Sequence, residues 1–230
     1  MLTIHFALRP LESAAALEDR VYTALREAIE SMDIYAGDKA PKLDERRIAE
    51  ELGVSRTPVR EAISQLKQEG LVQTIPHRGA FVVRKTKAEI LEIITVWAAL
   101  ESLAARLATT EASHKEIGRL REMFVTFETP ESAAARIDEY SDTNIRFHQS
   151  IIALSKSELL NKITDTLFVH MRAIRARTIM ERDRIGRSII DHLHIIEALE
   201  DRDAELAERL VCEHCWGLAN HINRYVDYLD

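Results

Sequence analysis

Apolar positions recur at helical spacing along most of the chain, and the places where that spacing breaks outline its architecture. Leu17, Val21, Leu25, Ala28 and Ile29 share one face of a first helix, closed by the turn-forming "DIYAGDKAP" with its Gly37 and Pro41. A second helix starts at about Asp44, which can cap it, and runs through Ile48 and Leu52 to Gly53. A third takes Ser55 or Thr57 as its cap, carries Pro58 in its first turn, where a missing N–H costs nothing, and ends before Gly70. The period then changes: "LVQTI" and "GAFVV" read as two short strands around "PHR", a small hairpin. From Ala88 the helical pattern returns and predicts about six helices, over roughly 88–109, 113–127, 131–154, 157–180, 184–200 and 203–228, with breaks marked by Pro130, Gly186 and "EDRD".

Two helices joined by a tight Gly-containing turn and followed by a hairpin form the winged helix-turn-helix pattern. The expected fold is therefore mainly α, with a winged helix-turn-helix and its β-hairpin wing over 1–85 and an all-α antiparallel helical bundle over 86–230. Turn residues agree: four of the five prolines and four of the seven glycines precede residue 81. A chain of 230 residues with 46% hydrophobic content can supply a core to each part. No run of about 18 uncharged apolar residues exists, which argues against a membrane partner, and "MLTIHFALRPLESAAALEDR" lacks the basic start and apolar centre of a secretion signal. The cytoplasm is the expected compartment, consistent with only two cysteines, Cys212 and Cys215. Their "CEHC" spacing is i, i+3 on a continuous helix with no second pair, so packing rather than thiol chemistry is their expected role.

A net charge of −7 argues against a nucleic-acid partner until its distribution is read. Residues 1–85 carry 13 basic and 13 acidic side chains, which leaves 18 and 25 for the remainder. Within 55–85, Arg56, Arg60, Lys67, Arg78, Arg84 and Lys85 face only Glu61 and Glu69, a basic patch on a neutral module. A third helix entering the major groove by its N-terminus would bring Ser55, Thr57 and free backbone N–H groups to phosphates, and Arg56 and Arg60 to base edges or phosphates. Val59, Ile63 and Leu66 would pack inward.

Over "LDERRIAEELGVSRTPVREAISQLKQEGLVQTIPHRGAFV" the chain resembles the GntR family of bacterial transcription regulators, in its FadR-like branch. The resemblance implies DNA contacts by Arg46, Ser55, Arg56, Thr57 and Arg60, with His77 and Gly79 at the wing tip. Arg46 opens the helix that crosses the backbone, so it would meet phosphate. The glycine would let the wing approach the minor groove, where His77 or Arg78 supplies polar or cationic contact.

The second half carries histidines on apolar stripes. Ile137, Ser141, Asn144, His148 and Ile151 form one stripe, with Asn144 and His148 at i and i+4 on a shared face. Ile189, His192, Ile196 and Leu199 lead into a turn near Asp203, followed by Ala207, Leu210, His214 and Leu218. His192 and His214 each lie 11 residues from Asp203, so an antiparallel hairpin would set them at one height on facing sides. Three such histidines and an amide point to a divalent metal site. The resemblance extends to the family's C-terminal FCD ligand-binding domain, many members of which hold a metal with an Asp or Asn four residues before a His, plus two further His. Asn144, His148, His192 and His214 look like those positions. Zinc is the first expectation, with nickel, manganese or iron as alternatives. Asn in place of the more usual Asp leaves the site one negative charge poorer. His194 points off the stripe and is read as exposed; His170 is left unassigned.

The family commonly has Arg, two residues and then Leu-Glu on its first C-terminal helix, where this chain has Trp97 before "AALE". Arg172 and Arg175 are the candidates to hold a carboxylate instead, with surface charge as the competing account. Trp97 near the cavity would favour an apolar or ring-bearing effector, with core packing as the plainer role.

The expected function is a DNA-binding repressor or activator, a homodimer reading an inverted-repeat operator in double-stranded DNA, modulated by a small organic or sugar acid at or near the metal. The alternatives are a regulator for which the metal itself is the signal, and a metal-dependent enzyme. The enzyme would need a general base beside the histidines, and no Asp or Glu has an obvious claim to that role, so the chain is read as no enzyme.

Overall fold

A computed structural model describes residues 15–37, 39–127 and 129–229. The opening stretch read for a secretion signal lies mostly outside them. The chain divides into two compact units, one running to Ile34 and then from Lys39 to Val83, the other containing Tyr35 and everything from Arg84 onward.

In the first unit, α1 (Ala15–Ser31), α2 (Glu45–Leu52) and α3 (Arg56–Gln68) surround a core of Val21, Leu25, Ile29, Val59, Ile63 and Leu66. Asp44 caps α2 by accepting from the backbone N–H groups of Arg46 (3.0 Å) and Arg47 (3.2 Å). Gly53 closes it at φ 65°, the left-handed conformation that turns the chain toward α3. Of the two possible caps for α3, Ser55 takes the position, with Thr57 inside the helix. At the far end the Tyr22 hydroxyl donates to Glu69 Oε1 at 2.9 Å and ties α1 to the residue that closes α3.

The hairpin strands β2 (Val72–Ile75) and β3 (Gly79–Val82) are joined by an unanticipated strand β1 (Lys42–Leu43), in the antiparallel order β1-β3-β2. Two residues carry no readable alternation, but Lys42 pairs with Phe81 and Leu43 with Ala80, so the segment entering α2 buttresses the wing.

In the second unit, α4 (Lys87–Glu111) is the central helix, started by a reciprocal cap between Thr86 and Glu89. Its alanine face, Ala98, Ala104, Ala105 and Ala108, is buried and lets α10 (Ala204–Tyr225) lie close, while α7 (Ile137–Leu154) and α8 (Glu158–Thr178) pack on its other sides. Arg202 donates to the carbonyls of Thr109 (2.9 Å) and Ala112 (2.6 Å), satisfying acceptors that the end of α4 leaves open. α5 (His114–Glu122) and α9 (Arg184–Glu200) complete the bundle.

Two boundaries differ from expectation. The helix expected over 113–127 stops at Glu122, and the one expected over 131–154 is two helices, α6 (Pro130–Ala135) and α7. Arg136 leaves the helical region at φ −130°, ψ 51°, ending one and starting the other, so seven helices follow Arg84 among the described residues rather than six. "ESAAARIDEY" holds no glycine or proline to announce that break. Among the described residues no helix is long and apolar enough to cross a membrane.

Candidate functional site

On the first unit, Arg46, Ser55, Arg56, Thr57, Arg60, His77, Arg78 and Gly79 are all exposed. Glu45 Oε2 accepts from Arg56 Nη2 at 3.2 Å and from Arg60 Nε at 2.7 Å, so one carboxylate holds both guanidinium groups beside the start of α3. The Arg60 hydrogen bond, with that of Arg56 behind it, keeps the Glu45 carboxyl below the usual range despite partial burial. Arg46 Nε likewise pairs with Glu50 Oε1 at 3.0 Å. Exposed ion pairs of this kind are weak and exchange readily for a phosphate. At the wing tip His77 adopts φ 61° and Gly79 φ 105°; a Cβ on Gly79 would stand 3.3 Å from Lys42 Cε.

In the second unit α7, α9 and α10 bring His148, His192 and His214 together. One potential ligand atom from each lies within 4.8 Å of the others, and all three rings are buried. Ring centroids are 4.9 Å apart for His192 and His214, 5.2 Å for His148 and His214, and 5.3 Å for His148 and His192. The shared height follows from α9 and α10 forming an antiparallel hairpin about Asp203, which caps α10 by accepting from Leu206 N at 3.0 Å. Asn144 is buried one turn before His148, and its Oδ1 lies 3.5 Å from Ser188 Oγ.

Two carboxylates orient the rings. Asp191 Oδ2 accepts from His214 Nδ1 at 2.9 Å, and Glu101 Oε1 contacts His148 Nδ1, which turns both Nε2 atoms inward. The Nδ1 atom of His192 is buried without a hydrogen-bond partner among the described residues. Burial holds all three imidazoles below their usual pKa, His148 and His192 far below, and nearby guanidinium charge adds to the effect. Neutral imidazoles with inward lone pairs, an orphaned ring nitrogen and an all-nitrogen donor set suit a borderline cation such as zinc.

Arg175 is the other occupant of the centre. Its Nη1 contacts His148 Nε2 and lies 3.5 Å from His214 Nε2, and its Nη2 lies 3.6 Å from Glu101 Oε2. Glu101 also accepts from Trp97 Nε1 at 2.5 Å and from the Cys215 thiol at 3.5 Å. Burial pushes the Glu101 carboxyl up, opposed chiefly by Arg175 and the Trp97 N–H. Burial raises the Cys215 thiol as well, so it is an unreactive donor.

The structure separates the other two effector candidates from the histidines. Arg172 does not join Arg175: it reaches Asp142 Oδ1 at 3.5 Å and lines a different cavity, because three residues along a helix turn a side chain by about 60° from its predecessor's direction. Trp97 is 1% exposed, packs on Phe168 and donates to Glu101. His194 is exposed, and His170 is buried with its Nδ1 3.3 Å from the Tyr35 hydroxyl. Glu101 and Asp191 were missed as partners of the histidines. A lone acid inside the apolar "WAALESLAARLA" was a readable signal for Glu101; Asp191, adjacent to His192, carried none.

Comparison with known proteins agrees with both halves. The family described as bacterial regulatory proteins, gntR family, matches residues 17–82, and the FCD domain matches residues 92–215. The probable D-xylose utilization operon transcriptional repressor of Paenarthrobacter nicotinovorans is 30% identical over 171 residues, 74% of each chain. The Nta operon transcriptional regulator of Aminobacter aminovorans is 31% identical over 173 residues, 75% of this chain and 80% of that one. Among solved structures, E. coli McbR/YncC shares the fold with a TM-score of 0.74 at 22% identity, covering 92% of this chain and 99% of the other. The relatives are transcriptional regulators and not enzymes, and this chain, which pairs the two matched modules, belongs to the GntR family as a DNA-binding transcriptional regulator with a C-terminal FCD domain.

Proposed function

We propose that the chain is a cytoplasmic, homodimeric regulator whose operator binding is set by a small carboxylate held at a divalent metal in the FCD domain. The observation that carries this reading is the cluster of three buried imidazoles, two of them oriented by Glu101 and Asp191. His148, His192 and His214 would hold the metal, with Asn144 beside them. When bound, the metal supplies a positive centre that attracts a carboxylate oxygen. Arg175, the one guanidinium in contact with the imidazoles among the described residues, would give that carboxylate its second anchor through paired N–H bonds. It takes up the task that a cation at the Trp97 position would serve in relatives.

Ser55, Arg56, Thr57 and Arg60 at the start of α3 would read the major groove, Arg46 would meet phosphate, and His77, Arg78 and Gly79 would approach the minor groove. Their uniform exposure supports this assignment. Two modules on an inverted repeat multiply a modest single-site affinity. The carboxylate controls that binding only if it prefers one of two arrangements of the dimer.

Fluorescence anisotropy on operator DNA, with chelated and zinc-loaded protein titrated with organic acids, tests the reading. A change of operator affinity by an acid in the zinc-loaded protein alone is the expected result. A response to zinc that no acid alters would reassign the metal as the signal.

A further inference from the structure

A cavity of about 520 Å³ adjoins the histidine centre and shares Ser188, Asp191 and His214 with it. Its remaining wall is cationic, with Arg182, Arg184, Arg187 and Arg224 beside His221 and Gly217. Two of these guanidinium groups have internal partners: Arg187 Nε pairs with Asp183 Oδ2 at 2.8 Å, and Arg182 stacks on Tyr225 at 3.7 Å from the ring centre. Arg184 and Arg224 form no ion pair among the described residues. The Arg184 Nε atom is buried without a hydrogen-bond partner among the described residues. Burial, with repulsion from Arg175 behind it, draws the Arg184 pKa down to about 10. The charge of Arg184 is in turn felt by His148 and His192. The same wall receives the start of the 17-residue helix α9, whose N-cap Asp183 makes no side-chain cap bond. A buried donor left unpaired is costly, and here it belongs to a side chain that lines a cavity of ligand size.

We propose that this cavity is a second anion subsite and that the effector is a compact acid with two anionic ends. Its carboxylate lies at the histidines and Arg175, and its other end, a phosphate or a second carboxylate, lies between Arg184 and Arg224. The carboxylate end rests on the function proposed above; the distal end rests on the unpaired arginines. Guanidinium groups bind such oxyanions through paired, charge-assisted hydrogen bonds, which a neutral sugar or a monoacid cannot exploit at that end.

Isothermal titration calorimetry on the full chain, purified from zinc-supplemented medium and held at fixed ionic strength, compares glycolate, 2-phosphoglycolate and succinate as probes. At least one of the two acids with a second anionic end should bind about tenfold or more tighter than glycolate, and which one does so distinguishes phosphate from carboxylate at the distal end. In Arg184→Gln/Arg224→Gln, compared at equal zinc loading, the advantage over glycolate should shrink to about twofold. Gly217→Leu provides a variant that removes no charge: Gly217 lines the cavity and a Cβ there meets nothing within 4 Å among the described residues, so a larger side chain can narrow the cavity and should reduce the same advantage. Equal affinities for all three acids in the wild-type protein, or a preference that survives both variants, overturns the subsite. Zinc content separates the two readings. A preference for two anionic ends in zinc-free protein contradicts the metal centre alone, whereas bound zinc with no such preference contradicts the subsite alone.

Discussion

Asp191 Oδ2 lies 2.9 Å from Nδ1 of His214, and this one contact sets which nitrogen of the ring faces the histidine centre. Carboxylates in this position orient a ligand and raise its basicity. Asp191→Ala should therefore lower zinc affinity about 10- to 100-fold while the protein stays folded, because Asp191 is partly exposed and borders a cavity. Zinc competition with a chromophoric chelator measures it; unchanged affinity would remove Asp191 from the site.

Glu101 is fully buried and offsets the charge of Arg175. Removing one member of a buried pair strands the other, so Glu101→Ala should destabilise the protein by about 3–5 kcal/mol in urea unfolding. Glu101→Gln keeps an acceptor for the Trp97 N–H and should cost less. Equal losses would mean that packing, not charge compensation, is what Glu101 contributes.

Glu45 clasps both Arg56 and Arg60. Glu45→Gln releases them and should tighten binding to random duplex more than to the operator, because freed arginines meet any phosphate. Arg56→Ala should weaken operator binding by about 1–3 kcal/mol and random duplex by less. Equal loss on both would make Arg56 a phosphate contact.

His170 is buried against Tyr35 with its pKa drawn down to about 4 by burial, reinforced by Lys85. Its folded-state pKa lies below the unfolded value, so the unfolded chain binds the proton first as pH falls. The neutral ring's contribution is complete above about pH 6.5 and is lost as pH drops toward 4, by about 3 kcal/mol at most. The centre's histidines titrate in the same direction, so the readout is a difference: His170→Phe should flatten the stability profile across that window relative to wild type. Parallel profiles would show that His170 takes up its proton in the folded protein.

Much of the site was legible in the sequence because helical periodicity is a strong signal. The four-residue step from Asn144 to His148 sets a shared face, and the equal spacing of His192 and His214 from Asp203 sets their common height. What stayed hidden depended on depth and direction. Periodicity made Arg172 and Arg175 look alike, but only Arg175 turns into the core. Arg184 reads as an ordinary surface arginine at a helix start, and only packing shows its Nε to be buried without a partner among the described residues. In the fold, the strand Lys42–Leu43 and the break at Arg136 escaped because each is decided by tertiary pairing and not by turn-forming residues.

Metal content per chain tests the central claim most directly. Protein purified from zinc-, nickel- and manganese-replete medium should carry about one equivalent of divalent metal by elemental analysis, and the His148→Ala/His192→Ala/His214→Ala variant essentially none. Wild-type protein that is metal-free under those conditions, or a triple variant that retains its metal, would contradict the account.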